Sequence, residues 1–111
     1  MAYLVYILRC EGGTLYTGLT NDLPHRLRAH TGAVSSGARY TRAHPPRRVE
    51  AVWECGDKIA AARLEYAIKR SLARRDKEAL IAAPDTLTDR LPQLAELTFA
   101  YRKDLTGEVE K

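Results

Sequence analysis

Five residues in this chain pair useful chemistry with suggestive spacing: Tyr6, Tyr16, Arg26, His30 and Glu65. Arg26 and His30 are four apart, so a helix carrying both presents them on one face. Arginine can grip a phosphate through two parallel donors, and a neighbouring imidazole can share a proton. The same pair on a solvated helix face would do nothing. Glu65 lies in RLEYAIKR. On a helix over 58–72, Ala61, Leu64, Ile68 and Leu72 form an apolar stripe, and Glu65 falls about 20° from Leu72. A carboxylate at the margin of an apolar face costs desolvation unless it is paired or holds a cation. Lys69, four residues on, is the plain partner; a metal ion is the sharper alternative.

Tyr6 and Tyr16 must be positioned by a hairpin. Residues 3–10 (YLVYILRC) read as a central strand covered on both faces, and 14–19 as its return, with Glu11-Gly12-Gly13-Thr14 at the turn. A three-residue loop over Gly12–Thr14 pairs positions summing to 26 and sets both tyrosines on one face. A two-residue loop sets them on opposite faces. Gly18 removes a side chain from the second strand, which lets another group approach its backbone.

The helix carrying Arg26 and His30 starts at a cap by Asn21 or Asp22, tolerates Pro24 in its first turn, and stops at Gly32. Leu23 and Leu27 hold it to the core. A long loop, GAVSSGARYTRAHPP, then leads to a strand at 48–55. There Val49, Ala51, Trp53 and Cys55 alternate with Arg48, Glu50, Val52 and Glu54, the pattern of a half-buried strand. Asp57 caps the helix over 58–72, and a second helix spans 76–83, ended by Pro84. Residues 86–97 hold a short helix broken by Pro92, and the final TGEVEK reads as loose. The chain thus divides into a unit over 1–83 and a partly helical C-terminal extension over 84–111.

The 111 residues are enough for one domain with a core of its own. No apolar run is long enough to cross a membrane, and no export signal is legible, so the expected setting is the cytoplasm, with no membrane partner. Cys10 and Cys55 then read as buried thiols. Cysteine and histidine never fall into a paired zinc spacing. Residues 24–77 carry thirteen Lys/Arg against five Asp/Glu, a net of +8, while the rest of the chain nets −4. A basic middle segment suggests a polyanionic partner.

Taken together, Leu4-Val5-Tyr6, Tyr16-Thr17-Gly18, Arg26 with His30, Gly37–Arg42 (GARYTR) and Glu65 resemble the GIY-YIG nuclease superfamily in order and spacing, over about residues 2–82. The chain looks like the small bacterial members that are little more than the catalytic domain. The first motif lacks the leading glycine and isoleucine, and Lys77 stands where some members use asparagine.

The resemblance implies an α+β fold, a small three-stranded antiparallel sheet flanked by α-helices. It implies metal-dependent hydrolysis of DNA phosphodiester bonds, structure-selective or weakly specific, in repair or recombination. Tyr16 would be the general base or would position the water, and Tyr6 would be the second tyrosine of the site. Arg26 would steady the scissile phosphate, His30 would assist proton movement, and Glu65 would hold Mg²⁺ or Mn²⁺. A tyrosine base needs its phenolate favoured, which a guanidinium and a divalent cation both do. Arg39, Tyr40, Arg42, Arg47, Arg48, Lys69 and Arg70 would follow a nucleic-acid backbone, DNA first and RNA as the other ligand of the same chemistry. Two other roles fit the same residues: a non-catalytic nucleic-acid-binding module, and a nuclease subunit that takes its specificity from a protein partner.

Overall fold

The computed structural model describes residues 2–30 and 44–109. Its centre is an antiparallel sheet with strand order β2-β1-β3-β4, where β1 is Tyr3–Cys10, β2 Leu15–Thr20, β3 Pro46–Cys55 and β4 Phe99–Tyr101. A fifth strand, β5 (Gly107–Glu108), pairs with the start of β3. The expected three-stranded α+β sheet is therefore present, enlarged by two short strands from the C-terminal extension. The tail expected to be loose is ordered as far as Val109, whose N–H donates to the Arg47 carbonyl.

The β1–β2 turn lies one residue earlier than the sequence suggested. Cys10 N donates to the Thr14 carbonyl at 2.8 Å, so the loop is Glu11–Gly13, with φ of 87° at both Gly12 and Gly13. Only glycine adopts that conformation without strain. The resulting register sets Tyr6 opposite Gly18 and Leu8 opposite Tyr16. A one-residue turn shift moves the pairing by two, so the faces are preserved and both tyrosines project on the same side.

Each face of the sheet carries its own core. On one, Val5, Ile7, Trp53 and Cys55 pack against helix α2 (Lys58–Ser71), helix α3 (Arg74–Ala82) and Leu87, Leu91 and Leu94 of the extension. On the other, Leu4, Tyr6, Leu8 and Cys10 pack with Val49, Val52 and Leu23 of helix α1 (Leu23–His30). Full burial of Leu64 and Ile68 in α2 contributes roughly 1.5–3 kcal/mol each. Both cysteines are buried and free, on opposite faces.

The simple alternation expected along β3 is broken. The register steps from Ile7↔Ala51 to Leu8↔Val49, which leaves Glu50 as an extra residue. That bulge turns Val49 to the α1 face while Ala51, Trp53 and Cys55 stay on the α2 face. Glu50 is free to meet Arg9 at 2.7 Å.

The helix ends follow their capping chemistry. Asp22 accepts from His25 N at 3.2 Å, and Asp57 accepts from Ala60 N at 2.8 Å. Beyond Pro84 the chain makes short helical turns at 84–86, 87–90 and 92–94. Their leucines enter the α2-side core, so the extension completes the main core.

Candidate active site

The tyrosines and Glu65 start from opposite faces of the sheet and meet around the edge of β2, an outermost strand of the sheet among the described residues. Tyr6 lies in the middle of β1 and is fully buried. Its ring crosses the backbone of Gly18, the residue opposite. A methyl group at Gly18 would overlap the Tyr6 hydroxyl and Cζ and come within 2.9 Å of Cε2. Gly18 is thus the close approach suggested by the sequence, and the approaching group is the Tyr6 ring.

At the end of that ring, the Tyr6 hydroxyl forms a buried hydrogen bond with His30 Nε2 at 2.8 Å. Burial holds the Tyr6 phenol well above its ordinary range, an effect only partly offset by a hydrogen bond to Arg26. Tyr6 therefore keeps its proton at neutral pH. His30 is also fully buried. Burial, and then the Arg26 charge, push its pKa down to about 4, so the imidazole is neutral. It has no exposed surface and lies against Tyr6 and Tyr16. Its ring meets both edge-on, at centroid distances of 5.8 and 5.0 Å.

Tyr16 differs from Tyr6. It lies on the edge strand, is half-buried, and lines an open hollow of about 370 Å³ with Leu15, Thr17, Lys69 and Lys77. Burial opposes the Arg26 charge, but hydrogen bonds to Tyr6 and Tyr16 outweigh it, so Arg26 is held firmly cationic between the two hydroxyls. The i, i+4 pair has divided its work: His30 faces inward under the tyrosines, while Arg26 is half-buried beside them.

Glu65 arrives from α2. Its carboxylate charge is felt at the Tyr6 hydroxyl, and it pairs with Lys69 at 3.4 Å. The Lys69 ammonium lies 5.9 Å from the centre of the Tyr16 ring. The Glu65–Lys69 i, i+4 pair expected from the sequence is therefore present, beside the Tyr16 ring. No group of three His, Cys, Asp or Glu residues gathers among the described residues, and Glu65 is the carboxylate beside the tyrosines that could hold a metal. That donor set suits Mg²⁺, which keeps several waters and takes further oxygens from phosphate. The half-buried Glu65 side chain fits such an ion, with Lys69, which itself lines the hollow, the cation it would displace.

The chain matches the GIY-YIG catalytic domain family over residues 2–78. This protein belongs to the GIY-YIG family. Among its relatives, a UPF0213 protein of Fusobacterium nucleatum is 40% identical over 86 residues, covering 78% of this chain and 83% of that one. A UPF0213 protein of Halalkalibacterium halodurans is 44% identical over 82 residues, covering 74% and 84%. The solution NMR structure of the UPF0213 protein BH0048 from Bacillus halodurans is 41% identical, with a TM-score of 0.48, covering 82% of this chain and 97% of that one. Membership of this family points to nuclease chemistry on a nucleic acid.

The expected nucleic-acid contacts divide. Arg39, Tyr40 and Arg42 lie outside the described residues. Arg47 pairs with Glu11 at 3.4 Å and Arg48 with Glu50 at 3.0 Å, on β3, which β1 separates from the Tyr16 edge. Lys69 stands at the hollow itself, and Arg70 lies over the Tyr66 ring. Thr17 and Lys77 join the hollow too. A strand threonine gives no sequence signal, whereas Lys77 is the position where some members of the family use asparagine. No helix of the described residues is long and apolar enough to cross a membrane.

Proposed function

We propose that this GIY-YIG protein is a divalent-metal-dependent endonuclease that hydrolyses DNA phosphodiester bonds, selecting by structure more than by sequence, in repair or recombination. One observation carries the reading: Tyr6, Tyr16, Arg26, His30 and Glu65 converge from four elements on one edge of the sheet, beside an open hollow flanked by Lys69 and Lys77. A module that only bound nucleic acid would have no need of a carboxylate among those cations.

The two tyrosines take separate parts. Tyr16, half-buried and open to the hollow, would position the attacking water or, as the phenolate, take its proton. Tyr6, buried and protonated, holds Arg26 and receives the support of His30. Arg26 stays charged and is pre-aimed by two hydroxyls, so its guanidinium meets the scissile phosphate without reorganising. Glu65 would hold Mg²⁺ or Mn²⁺, and the bound ion would supply Lewis-acid stabilisation of the phosphoryl oxygens. Lys69 and Lys77 would take the flanking phosphates, giving affinity without base choice.

The test is cleavage of labelled single-stranded, duplex, flap and branched DNA, with Mg²⁺ or Mn²⁺ and with chelator. Glu65→Gln and Tyr16→Phe should each abolish metal-dependent cutting while DNA binding in chelator persists. Binding without cutting by the unaltered protein would overturn the catalytic reading and leave a binding module. Cutting that appears only on adding cell extract would point to a subunit that requires a partner.

A further inference from the structure

The two large apolar side chains most exposed among the described residues are Ile59 (73%) and Tyr66 (66%), both on the outward side of α2. Tyr66 directly follows Glu65, and the helix turns it about 100° away, out of the β2 edge and into solvent. The Arg70 guanidinium lies 5.9 Å from the centre of its ring. Beside the ring opens a hollow of about 210 Å³. Buried Ala67 and Leu94 supply its apolar lining, Tyr66 an aromatic one, and Arg63, Ser71 and Gln93 polar groups. Arg63 is tied to Glu96 at 2.8 Å, and Gln93 Nε2 approaches Ser71 Oγ at 3.5 Å.

We propose that this hollow is a binding site for an unpaired nucleobase, stacked on Tyr66. The proposal rests on the nuclease reading and deepens it, by naming the substrate as DNA with a single-stranded segment next to the cut. A base needs a flat aromatic surface, an apolar seat and a few donors and acceptors at its edge. Tyr66, Ala67 with Leu94, and Ser71 with Gln93 offer these in turn. The strand carrying the base needs cations, and Arg70 and Lys69 lie along the helix between this hollow and Glu65. The nearby carboxylates, Glu65 and Glu96, are already paired with Lys69 and Arg63. A base stacked and paired inside a duplex cannot enter, so the site favours flaps, ends and branches over continuous double helix.

The test is binding of a labelled single-stranded oligonucleotide and of a blunt duplex of equal length, in chelator so that nothing is cut. Tyr66→Ala should weaken single-strand binding roughly tenfold or more, the usual effect of losing one aromatic stacking partner, with duplex binding little changed. Tyr66→Phe keeps the ring and should bind the single strand as the unaltered protein does. Thermal unfolding of each variant checks that this exposed position leaves the fold intact. Unchanged single-strand affinity in Tyr66→Ala, or equal losses on both ligands, would overturn the proposal. So would sedimentation showing self-association that Tyr66→Ala abolishes, since the surface would then serve a second copy of the chain. Selective loss of single-strand binding in a protein that never cuts DNA would keep the base site and sink the nuclease reading. Metal-dependent cutting with no Tyr66 effect would do the reverse.

Discussion

Replacing Gly18 by alanine should destabilise this protein by an amount set almost entirely by one neighbour. The backbone does not demand glycine there, since Gly18 is not among the residues with positive φ. In a strand interior, alanine should by itself gain about 0.5–1 kcal/mol. The obstacle is the Tyr6 ring, whose Cε2 would lie 2.9 Å from the new methyl, with Cζ and the hydroxyl closer still. Tyr6 is fully buried and has nowhere to retreat. Overpacking of this kind costs about 1–3 kcal/mol. Moving the hydroxyl also strains its 2.8 Å buried bond to His30, whose loss costs about 1–3 kcal/mol more. After the strand gain, the net is about 1–5 kcal/mol, a large part of the total stability of about 5–15 kcal/mol usual for a domain. Urea unfolding should show it directly, and the melting temperature should fall by on the order of 10 °C. The decisive assay is a double-mutant cycle with Tyr6→Leu. In that background the ring is gone, and Gly18→Ala should become neutral or stabilising. If Gly18→Ala costs the same in both backgrounds, the close approach of Tyr6 is not what keeps glycine at this position.

Other perturbations follow from the same geometry. His30 is held neutral in the fold, with its pKa pushed down to about 4 by burial and then by Arg26, against an ordinary value of 6.5. The unfolded chain therefore binds the extra proton first, and stability should fall as pH drops from about 6.5 through 4, by about 3 kcal/mol at the low end. His30→Gln should flatten that limb in urea unfolding measured across pH; an unchanged slope would show that His30 is not its source. Glu78 is drawn down to about 2, chiefly by its hydrogen bond from Arg9. The stability it contributes is present above its ordinary 4.5 and should be lost as pH falls from there toward 2. With the side chain 37% exposed, solvent screening limits that contribution to about 1 kcal/mol, and Glu78→Gln should remove it. Lys69→Gln should lower the magnitude of the slope of log affinity against log salt by about one for DNA, and an unchanged slope would remove Lys69 from the phosphate contacts.

Much of this protein was legible from local chemistry. The strand over 3–10, the Asp57 cap and the apolar stripe of α2 follow from side-chain period and hydrogen-bonding preference, which act over a few residues. Glu65 was conspicuous for the same reason, as a charge at the margin of an apolar face. Three features were not legible, because each depends on groups distant in sequence. The β1–β2 register hangs on which residues close the turn, and composition allowed loops of either parity. The bulge at Glu50 is invisible in β3 alone, since it appears only when β3 is laid against β1. The strands β4 and β5 are too short to announce themselves and form only because β3 offers open backbone groups. The same division runs through the site. Local sequence determined which residues carry donors, charge and helical spacing. Tertiary packing alone decided that Tyr6 is buried and Tyr16 open, that His30 faces inward while its helix neighbour Arg26 reaches the hydroxyls, and that Glu65 rounds the sheet edge to join them. Desolvation depends on what covers a side chain, and in this fold the cover comes from residues far away along the chain.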